Sequence, residues 1–475
     1  MSEAQDTGFL LKDTLTREKR KVYAEDGETL RFYCCGPTVY GPAHVGNFRT
    51  FVVQDLFRRV AEGAGLATRH VRNLTDVDDK TIRDSQAAGE TLKAFTDHWR
   101  DRFHEDCSSL NLLAPHEEPS AAAHVKQQVE LIESLMEKGH AYVGEDGSAY
   151  FRISSFPEYG RLSRLKEREL VRGAGGRTTA DDEYSKETVG DFALWKARRP
   201  EDGDNFWPSP WGEGRPGWHL ECSAMCREYL GDSFDLHSGG EDLVFPHHEN
   251  EIAQSECATG KTFARHWFHV SHLLVDGGKM SKSLGNFHTL SDLAEKGYGT
   301  ELVRYVLLSG HYGQSLNFTF ASLDAANSAL GKLVKAHESL GGGAPPSYEE
   351  SLARGSEDLG PFAPAWEALL DDLNAPKALG ALFSALKELG TGRTDDAERE
   401  LTRSAFWFVL NVLGILLPEK PQAAEVPEEV RDLAERRLAA KQAKDWGTAD
   451  ALREEIASAG WQVKDRPDGY DLEPK

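Results

Sequence analysis

His247 and Glu251 stand four residues apart in the run Phe245-Pro246-His247-His248-Glu249-Asn250-Glu251. With Pro246 at the first turn of a helix, that spacing puts both side chains on one face, where they can grip a single ion. Cys35 and Cys222 would complete a set of two thiolates, one imidazole and one carboxylate, a mixture that zinc accepts. The spacing alone leaves rivals open. Cys222 and Cys226 are also four apart, His248 could replace His247, and Cys107 and Cys257 read as buried structural thiols.

A second constellation suits phosphate. His44-Val45-Gly46-Asn47 lies where a strand feeds a helix N-terminus, whose unpaired N–H groups and dipole attract anions. Gly46 lets a ligand approach the backbone closely, and His44 can donate to a phosphate oxygen. The competing reading is a helix cap with a surface histidine. Lys279-Met280-Ser281-Lys282-Ser283 follows Asp276-Gly277-Gly278 and precedes Leu284-Gly285-Asn286. Two lysines beside hydroxyls, on a glycine-flanked loop, suit a polyphosphate whose charge changes during reaction. The run Asn73–Lys80 carries Asp76, Asp78 and Asp79 after a strand end, where either a ligand or a helix-capping aspartate belongs.

The elements needed to position these residues are legible. Leu30–Cys35 reads as a short strand, Gly36, Pro37, Gly41 and Pro42 as a turn, and a helix begins near His44. Its apolar positions Val53, Leu56, Phe57, Val60 and Ala61 share one face. Gly63 and Gly65 end it, and Thr68–Leu74 reads as the next strand. Strand, helix and strand in this order imply a right-handed crossover and a parallel sheet. From about residue 325 the chain reads as helical.

A chain of 475 residues is too long for one core, and about three domains are expected. Its net charge of −23 argues against general adhesion to nucleic acid or anionic membrane, although a local basic track stays compatible. No apolar run approaches the roughly 18 residues of a membrane span. The charged N-terminus cannot serve as a signal-peptide core, and six cysteines fit no disulfide framework for this length, so a reducing cytoplasm is expected.

Taken together, the chain resembles cysteinyl-tRNA synthetases, class I aminoacyl-tRNA synthetases. The likeness runs through Cys34–Tyr40, the HxGx turn with Arg49-Thr50-Phe51, Asn73–Lys80, Asp191–Lys196, Gly217–Ser223, Phe245–Ser255 and the KMSKS loop. Asp371–Pro376 and Lys444-Asp445-Trp446 with Ala449, Asp450 and Arg453 extend it. The resemblance implies an α/β Rossmann-type parallel-sheet catalytic domain at 22–115 and 216–320, split by an inserted connective region at 116–215. A helical, tRNA-binding bundle at 321–420 and a small anticodon-binding domain at 427–475 would follow.

By that resemblance the zinc ligands are Cys35, Cys222, His247 and Glu251, chosen over Cys34, Cys226 and His248. Cys35, Thr75 and Trp218 would contact the substrate cysteine. His44, Gly46, Asn47, Gly239, Gly240, Asp242 and Lys282 would hold ATP, with Lys282, Lys279 and His44 acting in catalysis. One Zn2+ per chain, Mg2+ with ATP, a cysteine-specific tRNA, no membrane and a monomer are implied. Asn47 departs from the motif's histidine, Val270 and Ser271 stand where smaller residues are common, and Lys441 and Arg466 replace an arginine and a threonine. A −23 chain that binds tRNA needs segregated cations, and two segments offer them: Arg161, Arg164, Lys166, Arg168 and Arg172, and Arg436, Arg437, Lys441 and Lys444. Solvated, ion-paired helix faces are the competing reading. Two other functions share part of the pattern: a cysteine ligase acting on an amino sugar, as in mycothiol synthesis, and a non-catalytic RNA-binding paralogue.

Overall fold

The structure, a computed structural model, describes residues 7–165, 190–280, 286–389, 395–418, 426–466 and 469–474. Lys282 with its neighbours Ser281 and Ser283, and Lys166, Arg168 and Arg172, lie outside the described residues.

The catalytic sheet begins with β1 (Thr29–Cys34), whose residues are mostly buried and apolar. After the Gly36–Pro42 turn, α1 (Val45–Gly63) packs its apolar face inward, and β2 (Ala67–Arg72) returns parallel to β1. α2 (Asp79–Ala88) then starts at a capping box in which Asp78 accepts from the N–H groups of Lys80 and Thr81. An inserted antiparallel sheet follows: β3 (Ala141–Val143), β4 (Ala149–Phe151), β5 (Phe192–Ala197) and β6 (Gly214–Pro216). The chain re-enters the catalytic layer through α3 (Trp218–Leu230), β7 (Phe234–Gly240), α4 (His247–Thr259) and β8 (Ala264–Val270).

Strand order across the parallel sheet is β8-β7-β1-β2. From β1 the chain winds outward to β2, and from β7 it winds the other way to β8. The order therefore reverses between β1 and β7, and such a switch point opens a crevice beyond the carboxyl ends of the strands. Cys35 leaves β1 there, its N–H donating to Ser238 O of β7 at 3.1 Å. Beneath the crevice lies a core of Tyr33, Val71, Met225, Phe234, Ile252 and Trp267.

A three-stranded sheet, β9 (Leu273–Val275), β10 (Gly278–Lys279) and β11 (Leu316–Phe318), leads into the helical half. α5 (Thr300–Leu308) lies between the last two strands in the chain. The bundle holds α6 (Phe320–Ser339), α7 (Ala363–Leu370), α8 (Ala375–Leu389) and α9 (Asp396–Leu413). Arg304 of α5 binds it to the catalytic half. Buried at 1% exposure, it pairs with Asp55 of α1 at 2.5 Å and donates to the carbonyls of Leu413, Leu110 and Asn111. Arg59 reinforces the joint, pairing with Asp55 at 2.7 Å and donating to Asn411 O at 2.8 Å. Gly414 closes α9 at φ +63°, and any Cβ there would stand 2.0 Å from an Arg304 nitrogen. Glycine is required on both counts.

Residues 417–475 form a separate compact unit. Within it, α10 (Glu428–Gln442) and α11 (Trp446–Ser458) pack on a hairpin of β12 (Trp461–Arg466) and β13 (Gly469–Pro474) around Val430, Ala434, Ile456, Trp461 and Val463. Two of the four basic residues expected to face outward here are used internally. Arg437, 6% exposed, grips Asp465 with two nitrogens at 2.8 and 3.0 Å, and Lys441 joins the same carboxylate at 2.8 Å. Arg436 and Lys444 remain exposed.

Candidate metal centre and nucleotide site

Four donor atoms converge from three segments. Cys35 follows β1, Cys222 lies on the buried face of α3, and His247 and Glu251 share a face of α4; their ligand atoms all lie within 4.8 Å of one another. Pro246 is the residue just before α4 rather than its first turn, a one-residue difference that leaves the shared face intact. The Cys35 and Cys222 sulfurs are 3.9 Å apart, Cys35 Sγ is 3.9 Å from Glu251 Oε1, and that oxygen is 3.0 Å from His247 Nε2. All four residues are buried.

The rivals separate in part. Adjacent residues of an extended chain point to opposite faces, so Cys34 turns away from the cluster. Burial pushes its thiol up, and that of Cys226 as well. Cys257 is half-buried rather than buried. His248 stays close: Cys35, His237, His248 and Glu251 form an overlapping set within the same 4.8 Å. The set containing both thiols offers more soft donors than the rival set, which has the Cys35 thiol alone, and zinc favours it.

Electrostatics match a cation's place. Burial opposes charge at all these positions. Even so, the carboxylate of Glu251 and the thiol of Cys222 raise His247 to about 10. Hydrogen bonding with Cys35 and contact with His247 pull Cys222 down to about 6 against the same burial. His237 and His247 hold Glu251 down at about 2. Two buried anionic groups thus converge beside the charged His247 imidazole, whose place as positive partner a bound cation would take.

The surrounding imidazoles hold this arrangement. His237 Nε2 binds the other Glu251 oxygen at 2.9 Å, and His219 Nδ1 meets His247 Nδ1 at 2.9 Å. His248 links Cys35 (3.2 Å) to His269 (2.7 Å), which continues to Thr14 at 2.8 Å. Such partners fix the orientation of ligands around a metal. His219 had a visible signal, since it lies one turn before Cys222. His237, in the buried strand Phe234–Gly240, had only the oddity of a histidine inside an apolar parallel strand.

Trp218, at the start of α3, stacks on His247 with centroids 4.5 Å apart and walls one side of the centre. Thr75 is buried and donates to Glu221 Oε2 at 3.0 Å, beside Cys222. Gly36 brings the loops after β1 and β2 together. A Cβ there would lie 1.7 Å from Asn73 O, while its N–H donates to Asn73 Oδ1 at 2.9 Å. The aspartates of the following run are structural: Asp76 accepts from Ser120 and from the Ala122 N–H, Asp78 caps α2, and Asp79 pairs with Lys196 and Arg215.

On the far side of the crevice, His44 caps α1. Its Nδ1 accepts from the Asn47 N–H at 3.2 Å, and its own N–H donates to Asn47 Oδ1 at 3.1 Å. An accepting Nδ1 leaves the ring proton on Nε2, so the capping and phosphate-binding readings of this turn are compatible. Asn47 uses its oxygen in the cap, and its Nδ2 is the group that can donate. A Cβ at Gly46 would stand 3.0 Å from the His44 ring and 3.5 Å from Met280 Cε. The methionine of the KMSKS loop therefore lies against the HxGx turn. Gly239 and Gly240 end β7; Cβ atoms there would meet His248 at 2.8 Å and Asp242 at 2.4 Å. Ser271 donates to Glu241 at 2.7 Å, which accounts for a hydroxyl at that position.

Comparison with known proteins places the chain in a family. Residues 22–328 match the model described as tRNA synthetases class I (C) catalytic domain. Residues 366–417 match a DALR domain and 423–470 a cysteinyl-tRNA ligase anticodon binding domain. A cysteine–tRNA ligase of Opitutus terrae is 55% identical, covering 98% of both chains. The chain belongs to the cysteinyl-tRNA synthetase family. A cysteine–tRNA ligase of Chlamydia caviae is 43% identical over 97% of this chain and 96% of its own. Methionyl-tRNA synthetase from Mycobacterium tuberculosis, solved with methionyl-adenylate, shares the fold at a TM-score of 0.56 and 17% identity, over 81% of this chain and 89% of that one. The fold is thus that of class I synthetases. Among the described residues no helix is long and apolar enough to cross a membrane.

Proposed function

We propose that this chain activates L-cysteine with ATP and delivers it to its tRNA. In the first step a cysteine carboxylate oxygen attacks the α-phosphorus of ATP, giving cysteinyl-adenylate and releasing pyrophosphate. In the second, a hydroxyl of the tRNA 3′-terminal ribose attacks the adenylate carbonyl and AMP departs. The observation that carries the reading is the convergence of Cys35, Cys222, His247 and Glu251 at the switch-point crevice.

That convergence answers a selectivity problem. Serine differs from cysteine by one atom, and an apolar pocket separates such pairs by only about 1–3 kcal/mol. One zinc ion held by these four residues supplies a soft Lewis acid that prefers a thiolate to a hydroxyl. A thiol ionises near pH 8.5, far below any alcohol. Trp218 and Thr75 bound the space beside it, while His219 and His237 keep the ligands oriented.

The chain's remaining work is positioning and charge stabilisation, which dominate phosphoryl-group chemistry. His44 Nε2, Asn47 Nδ2 and the α1 N-terminus address the ATP phosphates, with Gly46 allowing close approach. Gly239, Gly240 and Asp242 sit by the nucleoside. Lys282, supported by Lys279, stabilises charge building on the pyrophosphate, with Mg2+ as the counter-ion of ATP. We place this chemistry in a cytoplasmic monomer. The likeness to an anticodon binding domain at 423–470 supports tRNA over an amino sugar as acceptor. The retained HxGx and KMSKS residues speak against a non-catalytic paralogue.

Cysteine-dependent ATP–pyrophosphate exchange, run beside serine on protein of known zinc content and followed by charging of total tRNA, tests the proposal. Exchange with cysteine and not serine, together with cysteinylated tRNA, is the expected result. Exchange without charging would return the amino-sugar reading, and no exchange would return the non-catalytic one.

A further inference from the structure

The second step of the proposed reaction needs a single-stranded nucleotide end to reach the crevice. Single strands are held by aromatic faces on which bases stack and by cations that meet the backbone. Only six large hydrophobic side chains are exposed among the described residues: Tyr23, Tyr40, Val143, Leu401, Leu416 and Trp446. Of these, Tyr40 alone stands on a loop leaving the carboxyl end of the catalytic sheet, between Cys35 and His44.

Its surroundings suit such a strand. The Lys80 ammonium lies 5.3 Å from the Tyr40 ring centroid, and 37% of the tyrosine is open to solvent. The acidic neighbours of Lys80 are committed elsewhere: Asp78 caps α2, and Asp79 holds Lys196 and Arg215 of the inserted sheet. Arg83 stands one turn further along α2, paired with Asp84.

The pair is also fixed relative to the metal centre. The Val39 N–H donates to Thr75 O at 3.1 Å, and the Thr75 N–H donates to Pro37 O at 3.1 Å, so the loops after β1 and β2 run side by side. Tyr40 extends from one loop, and Lys80 from the first turn of α2, which follows the other. Thr75, on the shared rung, reaches Glu221, the neighbour of Cys222. A base resting on Tyr40 is thereby referenced to the backbone that carries Cys35.

We propose that Tyr40 and Lys80 form the platform for the single-stranded acceptor end of the tRNA, Tyr40 stacking a base and Lys80 meeting a phosphate. This rests on the charging reaction proposed above and adds residues that act in its second step alone. The cation also steadies the ring from one face.

Full-length Tyr40→Ala and Lys80→Ala proteins test it, assayed with cysteine, ATP and a cysteine-tRNA transcript, and with a minihelix carrying only the acceptor stem. Pyrophosphate exchange should stay within about twofold of wild type, while charging kcat/KM falls roughly tenfold or more on both RNAs. Tyr40→Phe should restore charging, since the ring and not the hydroxyl stacks, and Lys80→Arg should restore most of it. Unchanged charging overturns the proposal. So does a parallel fall in exchange, which would mean that the pair supports the first step or the fold. A wild-type protein that exchanges but charges no tRNA refutes the parent reading and this one together, and is recognised because the failure precedes any substitution.

Discussion

The Nδ1 atoms of His219 and His247 lie 2.9 Å apart, on two helices that pack against each other beside the site they flank. One ring must donate and the other accept. Since His247 Nε2 faces Glu251 at 3.0 Å, the rotation of its ring is settled from both ends. His219→Ala removes one of those constraints without touching a donor atom. Zinc affinity should fall about 10- to 100-fold. Competition against a chelator measures it, and wild-type retention of the metal would show that His219 merely fills space.

Cys35→Ser and His247→Ala should each lose zinc and cysteine activation together. Metal content by atomic absorption and exchange activity are then read on the same sample. A verified zinc-free variant that still exchanges pyrophosphate with cysteine would remove the metal from substrate selection.

Gly46→Ala places a methyl 3.0 Å from the His44 ring and 3.5 Å from Met280 Cε. The imidazole or the loop must give way, and displacements of about 1 Å can cost on the order of a hundredfold in rate. Exchange should drop roughly tenfold to a hundredfold while the melting temperature holds. A proportionate loss of stability would mean that the turn is architectural.

Asp55→Asn tests the joint between the two halves of the large unit. Burial raises the Asp55 carboxyl, but Arg59 and Arg304 overcome this and leave it below its ordinary value. A lowered carboxylate stabilises the fold above its unfolded pKa of about 3.9 and loses that contribution as pH falls toward the folded value. Removing its charge leaves buried guanidinium groups unpaired, at a cost of about 3–5 kcal/mol near neutrality. Denaturant unfolding should show that the gap between variant and wild type narrows below about pH 4. A gap independent of pH would assign the loss to packing.

Local signals carried the reading of the sequence a long way. The strand expected at Leu30–Cys35 forms at Thr29–Cys34, and the helix after His44 starts at Val45 because the histidine is its cap. The i, i+4 spacing of His247 and Glu251 suggested half of a donor set and left His248 as a rival, which still lies beside the cluster. What stayed hidden depended on pairing between distant segments. His237 reaches Glu251 because α4 folds back over β7, the strand before it, and His269 reaches His248 because β8 pairs with β7 under the same helix. Arg437 looked like part of a basic face, since helical spacing cannot reveal that a hairpin residue, Asp465, lies against it. Of the two readings offered for the run with Asp76, Asp78 and Asp79, the capping one holds for Asp78, while the partners of Asp76 and Asp79 could not be seen in sequence.

Arg304 spreads its donors over carbonyls of residues 110, 111 and 413, and Arg59 adds those of 111 and 411. The last turn of α9 is therefore an acceptor for guanidinium groups rooted in α1 and α5. Excising the bundle would remove those acceptors and open the apolar surface around them to water. A fragment meant to activate an amino acid should therefore carry its helices through residue 414, so that these guanidinium groups keep their acceptors.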